Sequence, residues 1–145
     1  KTLDYKPEVV VASFHGLPKT YLMRGDPYHC HCHKTARLLR ERMGMKDAEL
    51  IITFQSRFGP EEWLQPYTDK TVEKLAGDGV KSIVVITPGF SSDCVETLEE
   101  IAIGVKETFI EHGGENFSVA PCLNASTESV AMLKQLIDRE LSGWA

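Results

Sequence analysis

Four short apolar runs alternate with four helical patterns along the chain, and that alternation restricts the fold more than any other feature. The first run is Val9-Val10-Val11-Ala12-Ser13-Phe14, ending at His15-Gly16; residues 50–54, 82–86 and 117–120 supply the others. Runs that are apolar at nearly every position suit strands buried on both faces of a parallel sheet. Ala36, Leu39 and Met43, with Gly44 as a stop, predict a helix over 32–43. Further helices are expected over 69–76, 95–112 and 127–141, and two loops, 17–27 and 55–68, are broken by Pro and Gly. Strand and helix in alternation predict an α/β three-layer sandwich: one domain, with a four-stranded parallel sheet flanked by helices. Such sheets bind ligands beyond the carboxyl ends of their strands. His, Trp, Asp and Glu collect in the loops at that edge.

Composition narrows the partners. The net charge is −5, from 16 Lys+Arg against 21 Asp+Glu, with no cluster of five basic residues. Nucleic acid and strongly anionic membrane surfaces are therefore not expected partners. No apolar run approaches the roughly 18 residues that span a bilayer, and no secretory signal is visible. Cys30, Cys32, Cys94 and Cys122 are expected as free thiols in a reducing cytoplasm. The chain starts Lys1-Thr2-Leu3 without Met, which leads us to expect a fragment or a processed product.

Several residues carry chemistry. His15 follows a buried strand directly, and either the backbone caps it or it presents a neutral imidazole at the ligand edge. Asp93 and Glu96 have capping-box spacing at the start of the longest helix. Glu96 and Glu100, four apart, share a face, opposite an apolar stripe of Val95, Leu98, Ala102, Val105 and Phe109. This is either a solvated acidic face or a pair of carboxylates aimed at the crevice of His15, each raising the other's pKa. Trp63 either roofs the sheet edge or stacks on a flat aromatic ligand. His29-Cys30-His31-Cys32-His33 lacks zinc spacing; Cys30 and Cys32 could contribute two ligands to an iron–sulfur cluster, or simply sit at a helix N-terminus.

Taken together, the motifs resemble the ferrochelatase family. The similarity runs through Ser13-Phe14-His15-Gly16-Leu17-Pro18, Arg24-Gly25-Asp26-Pro27-Tyr28 and Thr53-Phe54-Gln55-Ser56-Arg57-Phe58-Gly59. It continues in Glu62-Trp63-Leu64-Gln65-Pro66-Tyr67-Thr68-Asp69, Pro88-Gly89-Phe90-Ser91-Ser92-Asp93-Cys94-Val95-Glu96-Thr97-Leu98-Glu99-Glu100 and Leu123-Asn124. His-Gly-Leu-Pro, and Cys94 where animal members have histidine, are similar to proteobacterial members. The resemblance implies a chelatase-like, flavodoxin-like fold and the C-terminal half of a two-domain enzyme, the N-terminal half lying outside this chain. It implies Fe²⁺ and protoporphyrin IX as substrates and protohaem as product, in the cytoplasm or peripherally at the inner membrane. His15 and Glu96 would be the iron ligands facing each other. Asp93 and Glu100 would extend an acidic catalytic track, and Trp63, Phe90 and Tyr28 would border the porphyrin. A [2Fe-2S] cluster on Cys30 and Cys32 is the one resident cofactor to look for. The alternatives are a cobalt chelatase of cobalamin synthesis and a non-catalytic flavodoxin-like binding module. A receiver-type module is disfavoured because the first strand ends in His15 rather than in acidic residues, and Leu17-Pro18-Lys19 is no flavin phosphate loop.

Overall fold

The apolar runs pair side by side. In the computed structural model, which describes residues 3–144, β1 (Val9–His15), β2 (Leu50–Gln55), β3 (Ser82–Ile86) and β4 (Asn116–Val119) form one parallel sheet in the order β2-β1-β3-β4. Val10 lies opposite Leu50 and the register continues to His15 opposite Gln55; Val9 lies opposite Ile83. Among the described residues, five α-helices accompany the sheet: α1 (Lys19–Met23), α2 (Tyr28–Met43), α3 (Thr68–Gly77), α4 (Lys106–Glu111) and α5 (Thr127–Glu140). A π-helix, Glu96–Val105, runs straight into α4. No helix among the described residues is long and apolar enough to cross a membrane.

Strand alternation divides the core between the sheet's two faces. On one face Val9, Val11, Ile83 and Val85 pack with Val72 and Ala76 of α3, Ile101 and Val105 of the π-helix and Phe109 of α4. On the other, Val10, Ala12, Phe14, Leu50 and Phe54 pack with Cys32 and Ala36 of α2. Ser13, His15, Thr53 and Gln55 therefore lie on the π-helix side, while Phe14 and Phe54 lie on the α2 side. That division decides which residues can meet at the rim.

Three elements differ from the sequence expectation. α2 begins at Tyr28 rather than 32, because the Asp26 carboxylate accepts the Tyr28 N–H at 2.8 Å and Pro27 suits a helix start. α1 is a five-residue helix that buries none of its side chains, so no apolar period announced it. The longest helix was expected as α-helix with an inner stripe containing Val95 and Leu98. Those two are instead 61% and 57% exposed, and Thr97, Ile101, Val105 and Phe109 are buried. The cause is the wider turn: the Lys106 N–H bonds to Ile101 O, an i→i−5 step. Side chains spaced four apart then stay nearly in line, where an α-helix would drift away from the sheet.

α5 is capped by Ser126, whose hydroxyl accepts the Ser129 N–H at 3.2 Å. Only Ser129 of its residues is buried, and Val130, Leu133, Leu136 and Ile137 are exposed.

Phe109 is fully buried where α4 meets β4. Phe109→Ala is expected to lower the stability of the protein by about 3–5 kcal/mol in urea unfolding.

Candidate functional site

The site lies at the carboxyl rim of β1 and β2, where their ladder runs one residue past the strand. The Gly16 N–H donates to Gln55 O at 2.7 Å. A Cβ at Gly16 would stand 2.8 Å from that oxygen and 3.2 Å from the Trp63 ring, so only glycine allows this approach. The two rim loops are then stitched together. Lys19 N–H donates to Glu62 O and Leu64 N–H to Leu17 O, and Trp63 Nε1–H donates to Phe58 O at 2.8 Å.

His15, half-buried, is held from three sides. Its Nδ1 lies 2.7 Å from Gly16 O. A carbonyl can only accept, so Nδ1 carries the proton and Nε2 keeps a free lone pair. The Tyr28 hydroxyl donates to His15 O at 2.9 Å, and the Phe90 ring centroid is 6.3 Å from the imidazole. Burial, with the nearby Cys32 thiol adding to it, pushes the Tyr28 phenol above its ordinary range, so it remains a donor.

Glu96 opens the π-helix on the same side of the sheet. Its carboxyl is held below the usual carboxylate range by the Cys94 thiol, then by its own backbone N–H and, when the imidazole is protonated, by His15. That corrects the expectation that Glu96 and Glu100 raise each other. The capping box has also shifted by one residue: the Thr97 hydroxyl accepts the Cys94 N–H at 3.0 Å, leaving the Glu96 carboxylate free of capping.

Glu100 is fully engaged. It accepts from Ser56 N–H at 2.7 Å, from the Ser56 hydroxyl and, at 3.3 Å, from Gln55 Nε2. Gln55 Nε2 also donates to Glu96 O at 2.9 Å, and Gln55 Oε1 accepts from the Ser13 hydroxyl at 2.8 Å. A buried chain of polar groups, Thr53, Thr68, Ser13 and Gln55, thus fixes the start of the π-helix against β1. Sequence reasoning gave Gln55 and Ser56 no role; a glutamine ending an apolar strand was the signal.

Asp93 does not continue an acidic track. Its carboxylate accepts from Asn124 Nδ2 at 2.7 Å, Cys122 N–H at 3.2 Å and Thr97 Oγ1 at 3.3 Å, while its own N–H donates to Asn124 Oδ1 at 2.9 Å. The result is a clasp between the loop before the π-helix and the loop after β4. Asn124 holds it from a left-handed backbone, φ 48°.

A groove of about 690 Å³ runs along the π-helix between Arg57, Phe58, Glu96, Glu100, Ile103 and Thr108. It reaches the rim at Glu96, and His15, Trp63, Phe90 and Tyr28 are not among its lining residues. Phe90 lies beside His15, Trp63 beside Gly16, and the Tyr28 hydroxyl is committed to the His15 carbonyl.

Cys30 and Cys32 do not fit a shared cluster. Cys30 is exposed and Cys32 is buried in the core under α2, as residues two apart on a helix face different ways. His29 and His33 do converge: their Nε2 atoms lie 3.1 Å apart.

The carboxyl rim of this α/β sheet thus holds His15 and the ionised Glu96 on one face. The fold agrees with a solved putative cobalamin (vitamin B12) biosynthesis CbiX protein from Marinobacter aquaeolei, at TM-score 0.60 over 94% of this chain and 98% of that one, at 18% identity. The ferrochelatase family model matches residues 1–141, and the chain belongs to the ferrochelatase family. Curated ferrochelatases of Allorhizobium ampelinum and Agrobacterium fabrum are 64% and 62% identical over 99% of this chain. One from Chelativorans sp. is 64% identical. The chain spans about 42% of the length of the first two.

Hydrogen bonds from Asn124 and from Cys122 N–H hold the Asp93 carboxyl below its ordinary 3.8. A depressed folded-state pKa stabilises above the ordinary value, and the gain fades as pH falls through the folded one. Asp93→Asn should therefore be less stable than the parent at pH 7, and the gap should close below about pH 4. Thermal melts across that range measure it.

Proposed function

We propose that the intact protein is a ferrochelatase, inserting Fe²⁺ into protoporphyrin IX to form protohaem, and that this chain supplies one wall of its cleft. The identity to curated ferrochelatases supports the substrate assignment. What supports the mechanism is that a His15 Nε2 with a free lone pair and the ionised Glu96 lie on the same face at the rim.

Insertion replaces two pyrrole protons with one dication. In this reading His15 Nε2 accepts a pyrrole proton, its Nδ1–H remaining on Gly16 O, and the Glu96 carboxylate draws the dication to the same point. The Glu96 carboxylate, freed as the dication passes to the pyrrole nitrogens, accepts the second proton, and Gln55 holds the Glu96 backbone in place. Trp63 and Phe90 offer aromatic faces to the macrocycle. Tyr28 and Asp93 act through position: the first braces His15, the second the entry to the π-helix. A cluster on Cys30 and Cys32 has no part in this reading. A cobalt chelatase has only the shared fold behind it. With four free cysteines, the cytoplasm is the proposed location.

More than half of the relatives' length lies outside this chain, and we assign the apolar face of α5 to it. Val130, Leu133, Leu136 and Ile137 are between 40% and 57% exposed on a helix that buries only Ser129. An apolar face of that kind marks an interface.

Two results test the proposal. In the intact protein, His15→Ala should cut zinc or ferrous insertion more than tenfold, about 1.4 kcal/mol or more; near-normal insertion would remove His15 from the mechanism. Leu136→Asp should lower the melting temperature of the intact protein by several degrees, about 1–3 kcal/mol of lost burial.

A further inference from the structure

We propose that His29 and His33 form a second metal site, a two-imidazole clamp for an exchangeable divalent first-row transition ion, separate from the His15–Glu96 rim. The two histidines sit four apart near the start of α2 and so share a face. Their Nε2 atoms are 3.1 Å apart and their ring centroids 4.3 Å, tilted by 46°. With metal–nitrogen bonds of 2.0–2.1 Å, that separation corresponds to an N–metal–N angle of about 95–102°. The value falls between cis positions of a square and a tetrahedron. One ion can therefore be taken by both nitrogens with little movement.

The rings are already in place. His29 stacks on Phe54 with centroids 5.7 Å apart and planes within 18°, and His33 lies 6.5 Å from the same ring. Phe54 is 2% exposed, and Cys32 and Ala36 anchor α2 in the core beneath. Part of the side-chain entropy that would oppose chelation, that of the stacked His29, is thus already lost on folding. Without metal, one Nε2–H points at the other nitrogen; binding moves that proton to Nδ1 of the same ring, and no charge or electron leaves the pair.

The donor set defines the ligand. Two neutral imidazoles suit Cu²⁺, Ni²⁺, Zn²⁺ or Fe²⁺ and favour Cu²⁺ most. Among the described residues no third His, Cys, Asp or Glu completes the set, so water fills the remaining positions and the ion exchanges. His31 faces away, two residues from either ligand. Phe14 and Phe54 put the pair on the α2 face of the sheet, whereas His15 and Glu96 lie on the π-helix face.

The test uses the full-length protein with His15→Ala and Glu96→Gln, so that the rim no longer binds metal. Cu²⁺ titration followed by electron paramagnetic resonance should show one tight ion with two equatorial nitrogens, and Zn²⁺ dialysis one matching equivalent. Adding His33→Gln, or separately His29→Gln, should loosen both ions at least tenfold and leave a single nitrogen coupling. Adding His31→Gln should change neither, and His33→Gln alone should leave metal insertion intact. Unaltered binding in both His29→Gln and His33→Gln, or equal weakening by His31→Gln, overturns the clamp.

Discussion

The amide of Gly16 reaches the carbonyl of Gln55 across 2.7 Å, with no room for a side chain between them. That contact carries the β1–β2 ladder to its last residue, and the geometry of the rim follows from it. His15 is lifted to the edge on the π-helix side, its imidazole bonded to the carbonyl of the same glycine. Gln55 turns to the same side and bonds both Glu100 and the backbone of Glu96. One backbone approach thus positions His15 on one strand and, through a buried amide, Glu100 and the backbone of Glu96 across from it. A larger residue at 16 would separate the loops and the two groups together.

The electrostatics of the pair are complementary because the local hydrogen bonds differ. Nδ1 of His15 spends its proton on a carbonyl, which leaves Nε2 basic. Glu96, released from capping by Thr97, stays ionised beside it, held low by Cys94 and its own amide. Glu100, whose oxygens are taken up by Ser56 and Gln55, acts as a strut. A base and an anion at one rim are what proton removal and dication capture each require, and an α/β sheet offers that rim at the ends of its strands.

Much of this was legible in the residues. Continuous Val and Ile runs announced a parallel sheet, and His15 after the first run stood at the predicted edge. Local competition hid the rest. The short α1 has no apolar period, and Asp26 starts α2 ahead of Pro27 where proline alone reads as a break. The π-helix was legible only as spacing: Thr97, Ile101, Val105 and Phe109 recur every fourth residue, a pattern that an α-helical reading replaced with Val95 and Leu98. Asp93 looked like a cap because its partner, Asn124, is 31 residues away. Spacing along one helix cannot reveal a clasp between loops.

The chain covers less than half of its relatives' length, and the exposed apolar face of α5 is the surface proposed to meet the remainder. The central claim is that His15 Nε2 and Glu96 converge on one cation. Long-range ¹H–¹⁵N correlation of histidine-labelled intact protein, with and without Zn²⁺, reads it directly. The account predicts a His15 ring protonated at Nδ1, a metal-induced shift at Nε2, and loss of that shift in Glu96→Gln. A ring protonated at Nε2, or a metal response unchanged in Glu96→Gln, would contradict it.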